Sequence, residues 1–186
     1  MPEEPHTLVL MGRWREGQPQ ARDQLLSRLY PELSQIAAAR LRKEYASSLS
    51  TGDLINDVVL RLMQVERIDV TDRAHLIALA SRMMRNILID YARQKHSDKR
   101  HHYKVELTTR VEGEQRLDLN SLETALIRLK GIDPALMELV EMRYFGGMTI
   151  EDIAVVSGLS EATVKRRWAT ARAWLTDALM NPVDHA

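Results

Sequence analysis

The sequence predicts an all-α fold: two small helical domains joined by a flexible linker, the second containing a helix-turn-helix. Three observations predict it. Leu, Ile, Met and Ala are abundant while Phe occurs once, a composition that suits helices better than sheets. Apolar residues recur at spacings of three and four along most of the chain. One stretch, His96–Arg116, loses that periodicity and turns strongly charged, as a connection between two packed regions does.

The elements follow in order. Leu8, Met11 and Trp14 lie at helical spacing in a short helix from about His6 to Glu16, ended by Gly17 and Pro19. Leu25, Leu29, Leu33, Ile36 and Leu41 trace a stripe from Ala21 to about Tyr45. Pro31 is expected to bend that helix or start a new segment. Ala46–Gly52 is a polar loop, and DLINDVVLRLMQ after it is an amphipathic helix. Ile55, Val58, Val59 and Leu62 face one way; Asp53, Asn56, Asp57 and Gln64 face the other. After a loop of mixed charge, Val65–Arg73, Asp72 is a cap for a helix reaching about Lys95. Its buried stripe reads Leu76, Ala80, Met83, Ile87 and Tyr91. Beyond the linker, Leu122, Leu126 and Leu129 mark a helix that Gly131 stops. Asp133-Pro134 is a cap with proline at the first helical position, opening a helix to about Tyr144. Gly146-Gly147 then turns the chain.

The last segment, MTIEDIAVVSGLSEATVKRRWATARAW, reads as helix, glycine turn, basic helix. Thr149 and Asp152 have capping-box spacing, Gly158 suits a left-handed turn, and Ser160 caps the second helix. Ala154, Gly158 and Val164 occupy the small, glycine and β-branched positions of a helix-turn-helix. Glu161, Ala162, Lys165 and Arg166 project from the N-terminal half of the second helix as candidates for groove contact, with Arg167 and Arg172 suited to phosphates. Trp168, four residues after Val164, belongs to the inner face and reads as core.

Composition sets bounds. The chain has 186 residues, and Lys+Arg and Asp+Glu are 26 each, so net charge gives no pull toward nucleic acid and any such function must rest on local clusters. No cysteine is present, which excludes disulfides, thiolate zinc sites and a cysteine nucleophile. No basic leader and no apolar run of spanning length is evident, so a soluble, cytoplasmic protein is expected, with no membrane partner. His96, His101 and His102 sit among lysines and arginines without a carboxylate framework, so no metal site is expected. No nucleophile–base pair or glycine-rich phosphate loop appears, so neither an enzyme nor a cofactor is expected.

The chain resembles an extracytoplasmic-function (ECF) sigma factor of the sigma-70 family. The resemblance is carried by Asp53–Leu62 (DLINDVVLRL) and Ala80–Arg93 (ASRMMRNILIDYAR) in the first half. In the second half it is carried by Met142–Thr149 (MRYFGGMT), Glu151–Ala154 and Ser160–Lys165. It implies that residues 1–96 dock core polymerase and melt and read the −10 element. Residues 97–117 are then a linker, and 118–181 read the −35 element. Arg82, Arg85, Asn86 and Arg93 lie off the apolar stripe of their helix, with Lys95, Lys99 and Arg100 beyond. They form a face that can bind phosphates and, through Asn86, a base edge. By resemblance the loop Val65–Arg73 lies near an unstacked base; it has no aromatic residue. The resemblance also implies that Asp53, Asn56, Asp57 and Leu60 dock the β′ coiled coil, and that the second domain touches the β flap.

Many members of that family carry a pattern like Asp-Ala-Glu-Asp where this chain has Ser50-Thr51-Gly52-Asp53. The hydroxyl-rich loop resembles the branch switched by Ser/Thr protein kinases, with Thr51 as the expected phosphorylation site and Ser50 next. Ser50 and Asp53 also have capping-box spacing. The alternative to an initiation factor is an autonomous helix-turn-helix regulator, which leaves the Asp53–Asn86 pattern unused.

Overall fold

The computed structural model describes residues 5–41, 49–97, 104–106 and 116–181. Among them the fold is all-α. The helices are α1 (Pro5–Arg15), α2 (Pro19–Arg40), α3 (Thr51–Met63) and α4 (Arg73–Ser97), then α5 (Leu119–Ile132), α6 (Pro134–Tyr144), α7 (Ile150–Ser157) and α8 (Glu161–Met180). Within the stretch expected to be a linker, β1 (Lys104–Glu106) and β2 (Arg116–Asp118) pair antiparallel, with Val105 opposite Leu117.

In the first half, Leu10, Met11 and Trp14 of α1 are buried together with Thr7, while Leu8 and Val9 are exposed. The inward stripe is thus 7-10-11-14, and the expected place of Leu8 is corrected by one residue, to Thr7. The Trp14 indole N–H donates to the Val65 carbonyl at 3.0 Å, tying α1 to the loop after α3. α2 runs through Pro31, so of the two expected outcomes, a bend or a new segment, the new segment does not occur. Pro31 and Ser27 both face solvent, so the carbonyl that loses its helical partner can be hydrated, while Leu29 and Leu33 keep the inner face continuous.

α3 begins two residues earlier than its apolar pattern indicates, because Ser50 and Asp53 form a full capping box. Leu54, Ile55, Val58 and Leu62 are its buried face. At the head of α4 Asp72 accepts the His75 backbone N–H at 2.9 Å. Burial works against the Asp72 charge, yet hydrogen bonds from His75 and Thr71 lower its pKa. The inward stripe of α4 carries Met84 and Leu88, with Met83 and Tyr91 only partly covered.

In the second half α5 continues one residue past Gly131, and Asp133 caps α6 through the N–H groups of Ala135 and Leu136. The two halves share one apolar core. α4 is the central element: it packs on α2 and α3 on one side and on α5, α6 and α7 on the other. Gly146 lies against Ser81 of α4, both buried. A Cβ at Gly146 would fall 1.9 Å from Ser81 Oγ, so only glycine permits this contact.

Candidate functional site

Three polar surfaces carry the residues singled out from the sequence. The first is the outer face of α8. α7 is closed at its N-terminus by the Thr149–Asp152 capping box and at its C-terminus by Gly158 at φ 65°. The Leu159 N–H then reaches back to the Ala154 carbonyl at 3.1 Å, and Ser160 starts α8 by accepting the Thr163 N–H. This turn sets α8 across α7 with Val164 fully buried. Trp168 is buried too, its ring 5.5 Å from that of Tyr144 and beneath the Arg143 guanidinium, in agreement with its reading as core. Glu161, Ala162, Lys165, Arg166 and Arg172 are exposed, whereas Arg167 is half-buried. Glu161 and Lys165 pair at 3.4 Å, which leaves Arg166 as the cation of the N-terminal half with the freest reach.

The second is the basic face of α4, and here the arrangement differs from a bare phosphate-binding surface. Arg85 Nη1 donates to Glu141 Oε1 of α6 at 3.4 Å and to Asn86 Oδ1 at 3.3 Å. Arg82 lies 3.8 Å from Glu141 and 4.0 Å from Glu138. Arg93 donates to Glu123 of α5 at 2.5 Å. All three arginines therefore meet carboxylates of the second half, whereas Asn86 is exposed and accepts from Arg85 of its own helix. Glu141 is 3 % exposed; burial pushes its pKa up, against the opposing pull of Arg85 and Arg82.

The third is the outer face of α3. Asp53, Asn56, Asp57 and Leu60 are exposed and stand at i, i+3, i+4 and i+7, one continuous stripe. Asp53 is engaged locally: its carboxylate accepts the Ser50 hydroxyl at 2.7 Å and the Ser50 N–H at 3.0 Å. These bonds hold its pKa below the ordinary value. Thr51, half-exposed, is the first residue of α3, directly after this cap.

A family model described as ECF sigma factor matches residues 7–181. The chain belongs to the ECF sigma factor family. It is thus a sigma factor, a DNA-binding protein of transcription initiation that works with core RNA polymerase at promoters. The match spans both halves, including the α3–α4 region that an autonomous regulator would leave unused. Among solved structures the sigma factor is similar to CnrH in complex with the cytosolic domain of CnrY, at 23% identity over 96% of this chain and 99% of that one, with a TM-score of 0.43. No curated protein matches it. Among the described residues, no helix is long and apolar enough to cross a membrane.

Sequence reasoning missed several participants. Tyr30 of α2 donates its hydroxyl to Asn56 Oδ1 at 3.2 Å and so joins the α3 stripe from 26 residues away. The pairing of Glu141 with α4 and the contact of Gly146 with Ser81 have no local signal beyond two acids among the apolar residues of LMELVEMRY. His101, His102, Lys99 and Arg100 lie outside the described residues.

Proposed function

We propose that the first half, 1–96, docks core polymerase and reads the −10 element, that the second, 118–181, reads the −35 element, and that phosphorylation of Thr51 strengthens docking. The stripe Asp53-Asn56-Asp57-Leu60 is the docking surface for the β′ coiled coil, with Tyr30 at its edge; the second half meets the β flap. Arg166 and Lys165 enter the −35 major groove, while Arg167 and Arg172 hold phosphates. Arg82, Arg85, Asn86 and Arg93 serve the −10 strand.

The observation that carries the switch is the state of Asp53. It is the only acid in the run Ser50–Asp53, and its carboxylate is turned back onto Ser50. Asp53 is therefore the single negative charge at the start of the stripe, and its carboxylate is already engaged by the cap. A phosphate on Thr51 adds about −1.5 to −2 charge in the first turn, where free N–H groups and the helix dipole favour it. A Ser/Thr protein kinase is the partner this requires.

The test compares wild type, Thr51→Ala and Thr51→Glu for core binding and promoter-dependent transcription in cells that contain the cognate kinases. Thr51→Ala should stay weak under inducing conditions and Thr51→Glu should bind core without induction. Full activity of Thr51→Ala under induction would remove Thr51 as the switch. Tight, promoter-specific binding by the free protein without core would favour an autonomous regulator instead.

A further inference from the structure

We propose that Trp14 of α1 and Arg22 of α2 are positioning residues for −10 reading: without touching DNA, they hold the start of the loop between α3 and α4 in the shape that receives an unstacked base. The proposal rests on the reading of the first half as the −10 reader, with this loop beside that base.

The loop has nine residues, 64–72, between the end of α3 and the start of α4. A free connection of that length loses conformational entropy when it closes on a base, and a loop already fixed does not. Here it is fixed along its length. Ile68 and Val70 are buried, while Glu66, Arg67, Asp69 and Thr71 are exposed. At the far end Asp72 caps α4, and Arg73 Nε donates to Glu32 of α2 at 2.9 Å.

The near end is held from α1 and the head of α2 by three contacts. The Trp14 indole N–H donates to the Val65 carbonyl at 3.0 Å. Arg22 Nη1 donates to the carbonyl of Met63, the last residue of α3, at 2.5 Å. The Arg67 side chain lies over Gly17 in the α1–α2 turn, its Nε 3.3 Å from where a Cβ would stand. Trp14, Gly17 and Arg22 thus meet Met63, Val65 and Arg67, alternate residues of one short stretch.

Filling the core asks for neither donor. Trp14 is fully buried, and an apolar side chain there packs without a hydrogen bond. Arg22 already meets Asp23 beside it, at 2.8 Å. Both nonetheless reach backbone carbonyls, 51 and 41 residues away. Losing either donor takes a partner from a carbonyl at the start of the loop and loosens the segment that presents Glu66 and Arg67.

The experiment uses the full chain bound to core polymerase and two templates of one promoter, one duplex and one pre-opened by mismatches over the −10 element. Trp14→Phe removes the N–H and keeps a ring. Arg22→Met removes the other donor. Leu25→Ala, a buried truncation on α2, takes packing from the same core and no hydrogen bond from the loop. Melting temperature and core affinity are followed in each.

Trp14→Phe and Arg22→Met should each lower transcription from the duplex about fivefold, the factor carried by one hydrogen bond of ordinary strength. The pre-opened template should restore it, since opening no longer depends on the loop. The preference for matched over −10-substituted pre-opened template should stay reduced. Leu25→Ala should lower the melting temperature and leave that preference unchanged. A preference unchanged in both Trp14→Phe and Arg22→Met, or equally reduced in Leu25→Ala, would overturn the clamp. A combined Glu66→Ala, Asp69→Ala and Thr71→Ala variant separates the causes. If it loses the preference while the clamp variants keep it, the loop reads the element and only the clamp is lost. If it keeps the preference too, the reading of this loop fails as well.

Discussion

Glu141 and Arg85 meet at 3.4 Å across the two halves of the sigma factor, the carboxylate 3 % exposed. Burial raises the Glu141 pKa while Arg85 and Arg82 oppose the shift and Glu138 adds to it. A group whose pKa is raised on folding binds its proton more tightly in the folded form. Its contribution to stability is therefore fully present below the ordinary carboxylate range and is lost as pH rises through the raised value. Between neutral pH and the ordinary carboxylate range, wild type should gain stability on acidification relative to Glu141→Gln, read from melting temperatures. An identical pH dependence in the two proteins would mean that another group carries it.

Trp168 gives a test of packing against direct DNA contact. Its ring is buried against Tyr144 and under Arg143. Trp168→Ala should cost about 3–5 kcal/mol, the range for truncating a buried aromatic, seen as a lower melting temperature. Trp168→Phe should restore most of that stability together with −35 binding. Loss of promoter binding in a fully stable Trp168→Phe protein would instead make the indole a DNA contact.

The helices and their caps were legible in the sequence because both are local signals. Thr149–Asp152, Ser160 and Asp133 each mark a boundary from within four residues of it. Phase was less secure. Leu8 and Met83 fit a helical spacing yet face outward or only partly inward, since Thr7 and Met84 complete a more continuous stripe with their neighbours. Pro31 reads as a break only if the freed carbonyl is buried, and exposure is not written in a local pattern. The acids covering α4 were the least legible. Arg85 and Glu141 are 56 residues apart and Arg93 and Glu123 are 30 apart. Neither partner carries any local mark of the other.

The α3 stripe predicts a separation of docking from folding. Asp57 is exposed on α3. Asp57→Lys should weaken association with core polymerase while leaving the circular dichroism spectrum and melting temperature unchanged. Tyr30→Phe, which removes only the hydroxyl donated to Asn56, should have a smaller effect in the same direction. Unchanged core affinity in Asp57→Lys would move the docking surface off this stripe.

On α8, Arg166 is exposed and its neighbour Lys165 is paired with Glu161. Arg166→Ala should cost on the order of 1–3 kcal/mol in promoter binding or discrimination and leave core binding intact. Glu161→Gln frees Lys165 from its i, i+4 partner and should steepen the salt dependence of DNA binding. Impaired core binding with promoter discrimination preserved in Arg166→Ala would mean that α8 faces polymerase rather than DNA.

The cap and the proposed switch occupy adjacent residues and separate by experiment. Ser50 accepts the Asp53 N–H at 3.0 Å, and Asp53 accepts the Ser50 N–H in return, so Ser50 is structural in the unmodified protein. Losing a serine N-cap costs about 1 kcal/mol, and Ser50→Ala should show that loss in purified protein that has never met a kinase. Asp53 has its pKa lowered chiefly by the Ser50 hydroxyl. A lowered carboxylate stabilises the folded form above its ordinary range, and the effect is lost as pH falls through the lowered value. Ser50→Ala should move the Asp53 titration, followed by side-chain carbon NMR, back toward the ordinary carboxylate value and speed amide exchange in the first turn of α3. Thr51→Ala should do neither, because no bond of the cap passes through the Thr51 side chain. Its effect should be confined to core binding after phosphorylation. If Thr51→Ala frays α3 as Ser50→Ala does, the threonine serves the helix start, and its loss in cells reports folding rather than signalling.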